Sequence, residues 1–413
     1  MYYQKPNAFL YGIAQVVSLA AAKLVFRRKF LRNEIKGKKG PFVVIANHQC
    51  ALDFVNLIGA TRRPMHFVIS QSFFNTLPVR GFMEKLGVIP KQQFQTASRD
   101  LKRMKAVIDR GEAFVIYPAG LMCEDGLSTP IPVATYKFLK WLKADVYVAR
   151  ASGTYFVMPK WTKGIRPGRT YMDIYQLFSK EELAQADLEQ ILRKTDEALL
   201  FDAYREQEQL QSASKKNANV QGLENVLYMC PNCKEEFSIY TDGDLIGCSA
   251  CGFTHRADRL GFLHQEGHVG SPIRYVSDWS RMIYRDTYRQ VEAGTLSALR
   301  SPVSISMIDQ KKKKFVPVGQ GTLTLTRETF CLQGTVNAEP LDVSVAAGTF
   351  PSLPFSPGKH LEFQYGGKIY RCMPENGRLV MKYINLIKVL YEINWQAPGA
   401  AAVPEEKEKV FHE

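Results

Sequence analysis

The chain has 413 residues, 46% of them hydrophobic and 23% charged, which is ordinary for a globular protein and too long for one small core. Lys and Arg outnumber Asp and Glu by 54 to 40, a formal charge of +14 that points to an anionic partner: nucleic acid, an anionic bilayer or a phosphate-bearing substrate. A bland surplus of solvated lysines is the competing reading, so the distribution of charge has to decide.

That charge gathers first near the N-terminus. The apolar stretch "AFLYGIAQVVSLAAA" is interrupted only by Gln15 and Ser18. It is short for a spanning helix, which needs about 20 apolar residues. Lys23, Arg27, Arg28, Lys29, Arg32, Lys36, Lys38 and Lys39 follow it against one acid, Glu34. The pattern predicts a helix lying in or half inserted into a bilayer, with the basic residues at the headgroups. A secretory signal peptide competes, since Ala20-Ala21-Ala22 resembles a cleavage site. Only Lys5 charges the first segment, however, and the cysteines below suit a reducing compartment.

Apolar runs then alternate with helical patterns. "PFVVIA" predicts a buried strand, Ala51 to Gly59 a helix and "MHFVIS" a strand. In "SRDLKRMKAVIDRG", Leu101, Met104, Val107 and Ile108 share a helical face and Gly111 supplies the stop. "EAFVIYP" predicts a strand, "VATYKFLKWLKA" a helix, and "DVYVARA" and "TYMDIYQLF" two more strands. Ser179-x-x-Glu182 is a capping box that opens one long helix to about Gln211. The alternation means an α/β domain with a mostly parallel sheet covered by helices.

After the polar "QSASKKNANVQG" come Cys230-x2-Cys233 and Cys248-x2-Cys251, 14 residues apart. Each pair brings two thiolates onto one ion, and four close a tetrahedron with no open position, so a structural Zn2+ in a zinc ribbon is expected. Two disulfides are the alternative. His255 is near in sequence but four cysteines suffice; His264 and His268 are expected at the surface, and Cys123, Cys331 and Cys372 as buried small groups. Between Cys230 and Gly252 one lysine, Lys234, faces Glu235, Glu236, Asp242 and Asp244, the wrong sign for nucleic acid. "SDWSRMIYRDTYRQVEAG" predicts a helix. From about Ser301 short alternating strands take over, including "SISMI", "GTLTLTRE", "HLEFQY" and "KIYRCM". A helix closes this part, with Val380, Ile384, Ile387 and Tyr391 on one face. Many antiparallel strands capped by one helix resemble a pleckstrin-homology-like barrel. Lys311 to Lys314 places four positives there, able to meet anionic headgroups at about 1 kcal/mol each or to form a solvated turn. The tail is expected to be disordered.

In "NHQCALD", His48 leaves the C-terminal end of a strand just before a helix, where α/β sheets place ligand crevices. Asp53, a turn further on, can fold back onto Nδ1, fix the tautomer and leave Nε2 as base. Cys50 is a possible nucleophile, better read as a small residue packed under the helix. A surface histidine beside a helix-start acid is the commoner meaning of such a pair.

The same residues resemble the N-H-x-x-x-x-D signature of the glycerophospholipid acyltransferases, the lysophosphatidate acyltransferase superfamily. The resemblance covers residues 40–210 or so. It implies a cytosol-facing, membrane-bound enzyme that moves an acyl group from a coenzyme A or carrier-protein thioester to a lysophospholipid hydroxyl, with His48 as base and Asp53 orienting it. The family's G-x-I-x-x-R block, which binds the acceptor phosphate, matches Gly87, Ile89, Pro90 and Lys91, with Lys for Arg. Its F-P-E-G-T-R-S block aligns with Tyr117, Pro118, Ala119, Gly120, Leu121, Met122 and Cys123, and "VYVARASG" is a loose counterpart of the fourth. Ala119 vacates the acceptor-holding glutamate, and Lys91 keeps charge but loses a two-pronged grip on phosphate. Glu124 and Asp125 either reach in from the same loop or form an exposed Asp-Gly turn, the commoner outcome. Arg80, Lys85 and Arg99 flank the blocks as further phosphate contacts or solvated charges. Backbone amides near Gly120 are candidates for stabilising the oxyanion.

The expected organisation is a membrane-associating segment over 1–40, an acyltransferase domain over 41–215 and a zinc ribbon over 222–270. A helical linker over 271–296, a pleckstrin-homology-like domain over 297–396 and the tail over 397–413 complete it. The expected partners are an anionic phospholipid membrane, a lysophospholipid acceptor, by default 1-acyl-glycerol-3-phosphate, and an acyl-CoA or acyl-carrier-protein donor, with no nucleic acid. The expected location is the cytoplasmic face of a membrane, peripheral or monotopic. Two other classes compete: a lipid-binding scaffold that keeps the fold without strong catalysis, and a zinc-ribbon nucleic-acid-binding protein.

Overall fold

The run Phe42–Ala46 is buried at every position, as a strand covered on both faces must be. The computed structural model describes residues 5–93, 98–162 and 164–396, and the expected disordered tail over 397–413 lies outside them. The chain divides into two units, Met1–Lys216 with Arg259–Gly261, and Asn217–Asp258 with Phe262–Glu413.

The first unit is built on seven strands: β1 (Lys29–Asn33), β2 (Phe42–Ala46), β3 (His66–Ser70), β4 (Ile89–Lys91), β5 (Ala113–Ile116), β6 (Asp145–Ser152) and β7 (Tyr171–Phe178). They lie in the order β1-β7-β6-β2-β5-β3-β4, and only the β6–β7 pair is antiparallel. The expected α/β domain with a mostly parallel sheet is therefore present. Side chains alternate between two apolar layers, as the strand period requires. Val43, Ile45, Phe114, Ile116, Val146 and Val148 pack on one face with Met104, Val107 and Ile108 of the Ser98–Asp109 helix. Phe42, Val44, Val115 and Tyr147 pack on the other with Leu57, Ile58 and Tyr11.

Tyr11 belongs to the Ala8–Leu24 helix, whose first turn is capped by the Asn7 side chain accepting from Leu10 N–H. Its hydroxyl accepts the Met65 N–H at 3.1 Å, and Gln15 donates to the Ile58 and Thr61 carbonyls at 3.3 and 2.9 Å. Three long-range hydrogen bonds thus tie the helix to the end of the Asp53–Ile58 helix and the segment leading into β3. Its other side exposes Phe9, Ile13, Val16, Val17 and Leu24. No helix among the described residues is long and apolar enough to cross a membrane.

Two local expectations need correction. The basic stretch after this helix contains edge strand β1, which pairs with β7 and ties Arg32 to Asp173 at 2.8 and 2.9 Å; its exposed, charged residues hide the strand period. The single helix expected from Ser179 to Gln211 is three: Lys180–Gln185, Leu188–Leu199 and Ala203–Leu210. The Ser179–Glu182 box forms, but Asp187 and Gln190 form a second box and Asp202 caps a third start. Each acidic cap offers the backbone a competing partner, which ends the preceding helix.

Among the described residues the second unit holds two antiparallel sheets. The smaller, in the order β11-β10-β9-β8, comprises β8 (Ile239–Asp242), β9 (Leu245–Cys248), β10 (Thr254–Ala257) and β11 (Leu263–Glu266). The larger comprises β12 (Leu299–Asp309), β13 (Lys314–Leu325), β14 (Thr329–Val336), β15 (Glu339–Ala346), β16 (Phe355–Ser356), β17 (His360–Tyr365) and β18 (Lys368–Pro374). Its order is β15-β14-β13-β12-β18-β17-β16. The expected helices form over Val276–Glu292 and Leu379–Gln396. Val380, Ile384 and Ile387 of the latter are buried, and Tyr383 donates to the Leu323 carbonyl at 2.9 Å. Cys372 is buried as expected, but Cys331 is only half-buried, its thiol 3.3 Å from the Ser344 hydroxyl.

Replacing Tyr11 with Phe leaves the buried Met65 N–H without its partner, so the substitution is expected to destabilise the chain by about 1–3 kcal/mol. Urea unfolding of the two proteins measures it, and equal midpoints would detach the helix from the folded core.

Candidate active site and cysteine cluster

Five of the parallel strands, β2 to β6, end at the same edge of the first sheet, the edge where such sheets hold ligands. His48 stands there, two residues beyond β2. Asp53 opens the short Asp53–Ile58 helix with 1% of its surface exposed. Its Oδ2 lies 2.9 Å from His48 Nδ1 and accepts the Gln49 and Cys50 N–H groups at 2.7 and 2.9 Å. An ionised carboxylate only accepts, so Nδ1 carries the imidazole proton and Nε2 keeps its lone pair. The His48 side chain is 21% exposed while its brace is sealed.

Neighbouring segments fix the histidine from both sides. Asn47 donates to the Ala151 carbonyl at 2.8 Å and accepts the Ala151 N–H at 2.7 Å, locking the end of β2 to β6. The Gln49 carbonyl oxygen of the side chain accepts from the Thr154 hydroxyl at 3.0 Å and the Tyr155 N–H at 3.1 Å. Cys123 N–H donates to the His48 carbonyl at 3.0 Å. The Tyr117 ring stacks on the imidazole, centroids 4.2 Å apart and planes 24° apart. The sequence reading placed none of these four as a support of His48, although Tyr117 and Cys123 stood in its third block. Buried polar residues on either side of a histidine, at the end of an apolar strand, were the available signal.

Cys50 is fully buried, its thiol donating to Asp53 Oδ1 at 3.3 Å. Burial, and then the adjacent Asp53 charge, push that thiol well above its ordinary range, which disfavours the thiolate a nucleophile needs. The packed-residue reading holds.

The acceptor-side candidates are dispersed. Lys91 ends β4 opposite Ser70 of β3, three strand spacings from β2, or about 14 Å. It donates to the Gln92 carbonyl at 3.0 Å, and burial lowers its pKa. Gly87 precedes β4, at the end of the strand away from His48, with φ +76° and a Cβ position 2.8 Å from both His66 Nδ1 and Pro6. Its carbonyl meets His66 Nδ1 at 2.6 Å, so the glycine shapes the chain there. Pro118 is buried beside Tyr117, and Gly120 turns the loop at φ +72°. The Gly120 N–H already donates to the Tyr117 carbonyl at 2.9 Å, which removes that one amide from the oxyanion candidates. Gln93 donates to the Gly120 carbonyl and joins the second block to the third. Glu124 is 3% exposed and Asp125 half-buried, its Oδ1 accepting the Leu127 N–H at 3.0 Å, so the exposed-turn reading of this pair is corrected. Lys160 reaches the same loop, donating to the Met122 carbonyl at 3.4 Å. Arg80 pairs with Glu84 at 3.0 Å, whereas Lys85 and Arg99 lie exposed.

In the second unit the sulfurs of Cys230, Cys233, Cys248 and Cys251 all lie within 4.8 Å of one another. Cys230 to Cys251 is 3.8 Å and Cys233 to Cys248 is 3.7 Å. A tetrahedron of thiolates around an ion at about 2.3 Å has edges of about 3.8 Å, so the four sulfurs are spaced to hold a metal such as zinc. Two disulfides would need roughly 2 Å. Asn232 donates to the Cys251 sulfur at 3.5 Å, and the Ser238 hydroxyl sits 3.2 Å from that of Cys248. His255 is buried outside the cluster, its Nε2 accepting the Ile273 N–H at 3.1 Å, while His264 and His268 are exposed.

Residues 27–160 match the family model described as Acyltransferase. A solved structure titled 1-acyl-sn-glycerophosphate (LPA) acyltransferase, PlsC, from Thermotoga maritima is 18% identical, with 46% of this chain and 76% of that one covered and a TM-score of 0.39. The Ran binding domain of the nuclear complex component Nup2 from Ashbya gossypii is 14% identical over 22% of this chain and 94% of its own, with a TM-score of 0.18. Among curated proteins no sequence matches. The family match spans the His48–Asp53 pair and its supports from Tyr117, Cys123, Ala151 and Tyr155. Within the first unit, residues 27–160 are thus similar to the Acyltransferase family, over about a third of the chain.

Proposed function

We propose that the chain is a membrane-associated O-acyltransferase that moves an acyl chain from a thioester to a lysophospholipid hydroxyl. The observation that carries this reading is His48, braced by Asp53 through Nδ1 with its side chain still 21% exposed. Nε2 takes the hydroxyl proton while the oxygen attacks the thioester carbonyl. The tetrahedral intermediate then expels the thiolate, which recovers the proton from the imidazolium. Asp53 stabilises that imidazolium throughout. With Cys50 buried as a thiol, no acyl-enzyme is required.

The default acceptor is 1-acyl-glycerol-3-phosphate and the donor acyl-CoA or acyl-carrier protein. Lys91, Pro118, Gly120, Glu124 and Asp125 are the acceptor-side candidates, and the alanine at 119 is what favours a scaffold as the second reading. The exposed stripe Phe9, Ile13, Val16, Val17 and Leu24, with Lys23, Arg27 and Lys29 exposed at its end, supports a monotopic or peripheral seat on the anionic cytoplasmic face of a membrane. In the second unit, Zn2+ would be held by Cys230, Cys233, Cys248 and Cys251 as a structural ion. The strand order β15-β14-β13-β12-β18-β17-β16 with a helix closing on β12 and β13 supports the pleckstrin-homology-like reading of residues 297–396. Lys311 to Lys314, exposed at the β12–β13 turn, are its candidate headgroup contacts.

Acyl transfer to a panel of lysophospholipids is expected to fall at least about 100-fold in His48→Ala. Indistinguishable wild type and variant would favour the scaffold. Replacing Val16 and Val17 with Glu is expected to abolish flotation with anionic liposomes while leaving the far-UV spectrum intact, and unchanged flotation would place the membrane seat elsewhere. Elemental analysis should find about one zinc per chain, lost in Cys248→Ser together with part of the thermal stability; a metal-free chain of full stability would contradict the ribbon.

A further inference from the structure

Asp53 fixes one nitrogen of His48 but leaves its plane to be set by something else, and the ring beside it is Tyr117. The two rings lie nearly parallel, at 4.2 Å between centroids and 24° between planes. An aromatic face carries negative quadrupole and attracts a cation lying over it. The imidazole becomes such a cation at the moment it takes the acceptor proton. The tyrosine hydroxyl, by contrast, is buried with no hydrogen-bond partner among the described residues, so it is the ring face and not the phenol that serves the histidine.

We propose that Tyr117 is a positioning residue of the reaction: its ring holds the imidazole plane so that Nε2 points outward, and stabilises the imidazolium formed in the transition state. The inference rests on the acyltransferase reading above. Around His48, Asp53 and Cys50 lie on its own loop and helix start, Cys123 donates to its carbonyl, Glu124 and Asp125 follow on that loop, and Lys160 approaches through the Met122 carbonyl. Tyr117 contributes the aromatic face that stacks on the imidazole.

The sign follows. A face that stabilises the cation keeps it populated to higher pH, so removing the face moves the acid limb of the kcat/KM profile to lower pH. In the full chain, Tyr117→Phe retains the ring and is expected to keep wild-type kcat and acid limb, and to melt no lower, since a buried unpaired hydroxyl is gone. Tyr117→Leu is expected to lose kcat roughly five-fold and to move the acid limb down by about half a pH unit, with KM little changed. Because a leucine can also disturb packing, a trifluorinated phenylalanine at 117 supplies the same shape with little quadrupole; it is expected to follow leucine, not phenylalanine. Equal profiles for the phenylalanine and trifluorophenylalanine chains would overturn the proposal. If no chain transfers acyl groups, the acyltransferase reading itself has failed, and NMR titration of the histidines in the same two chains still decides the stack. A His48 signal that titrates alike in both would overturn it there too.

Discussion

A carboxylate with 1% of its surface exposed survives only where donors answer its charge, and Asp53 is answered by His48 and by the Gln49 and Cys50 amides. Much of the first unit's architecture follows from meeting that need. The chain must leave β2 and fold back within five residues, so that its own amides reach the acid that opens the next helix. The bend is held by Asn47 on β6 and by Gln49 on the Thr154–Val157 turn. The third block closes over it, with Cys123 on the His48 carbonyl and Tyr117 on the ring. Remove the carboxylate and two amides and an imidazole lose their shared acceptor at once.

On the proposed reading, the base side of the family's pattern is present while its acceptor side is altered. The His48 brace combines the Gln49 and Cys50 amides on Asp53 with the side chains of Asn47 and Gln49. Acceptor recognition depends on individual side chains, and here alanine, leucine and methionine occupy positions 119, 121 and 122. A buried Glu124, a half-buried Lys91 and Lys160 lie on the surrounding segments instead.

How much was legible depended on whether a signal was local. The strands β2, β3, β5 and β6 were readable because burial on both faces demands continuous apolar runs, and the cysteine quartet because metal geometry fixes its spacing. The His48–Asp53 contact was readable because five residues suffice to close it. Strand β1 was hidden because an exposed edge keeps its charges, and the three-helix ending because Asp187 and Asp202 act as caps only once the chain has turned. The partners of Asn47 and Gln49 lie about a hundred residues away, beyond any local pattern. Gly87 matched a binding motif in sequence, yet its backbone angle and His66 contact give it a shaping role.

The claim on which the rest stands is that His48 is held with its proton on Nδ1 and its lone pair on Nε2. Nitrogen-15 NMR of the histidine-labelled chain, with His48 assigned by substitution, reads that arrangement directly in the neutral ring. The account predicts a protonated Nδ1 and a bare Nε2, with Asp53→Ala releasing the ring to a mixture of tautomers. A wild-type His48 that carries its proton on Nε2, or that averages both forms, would contradict it.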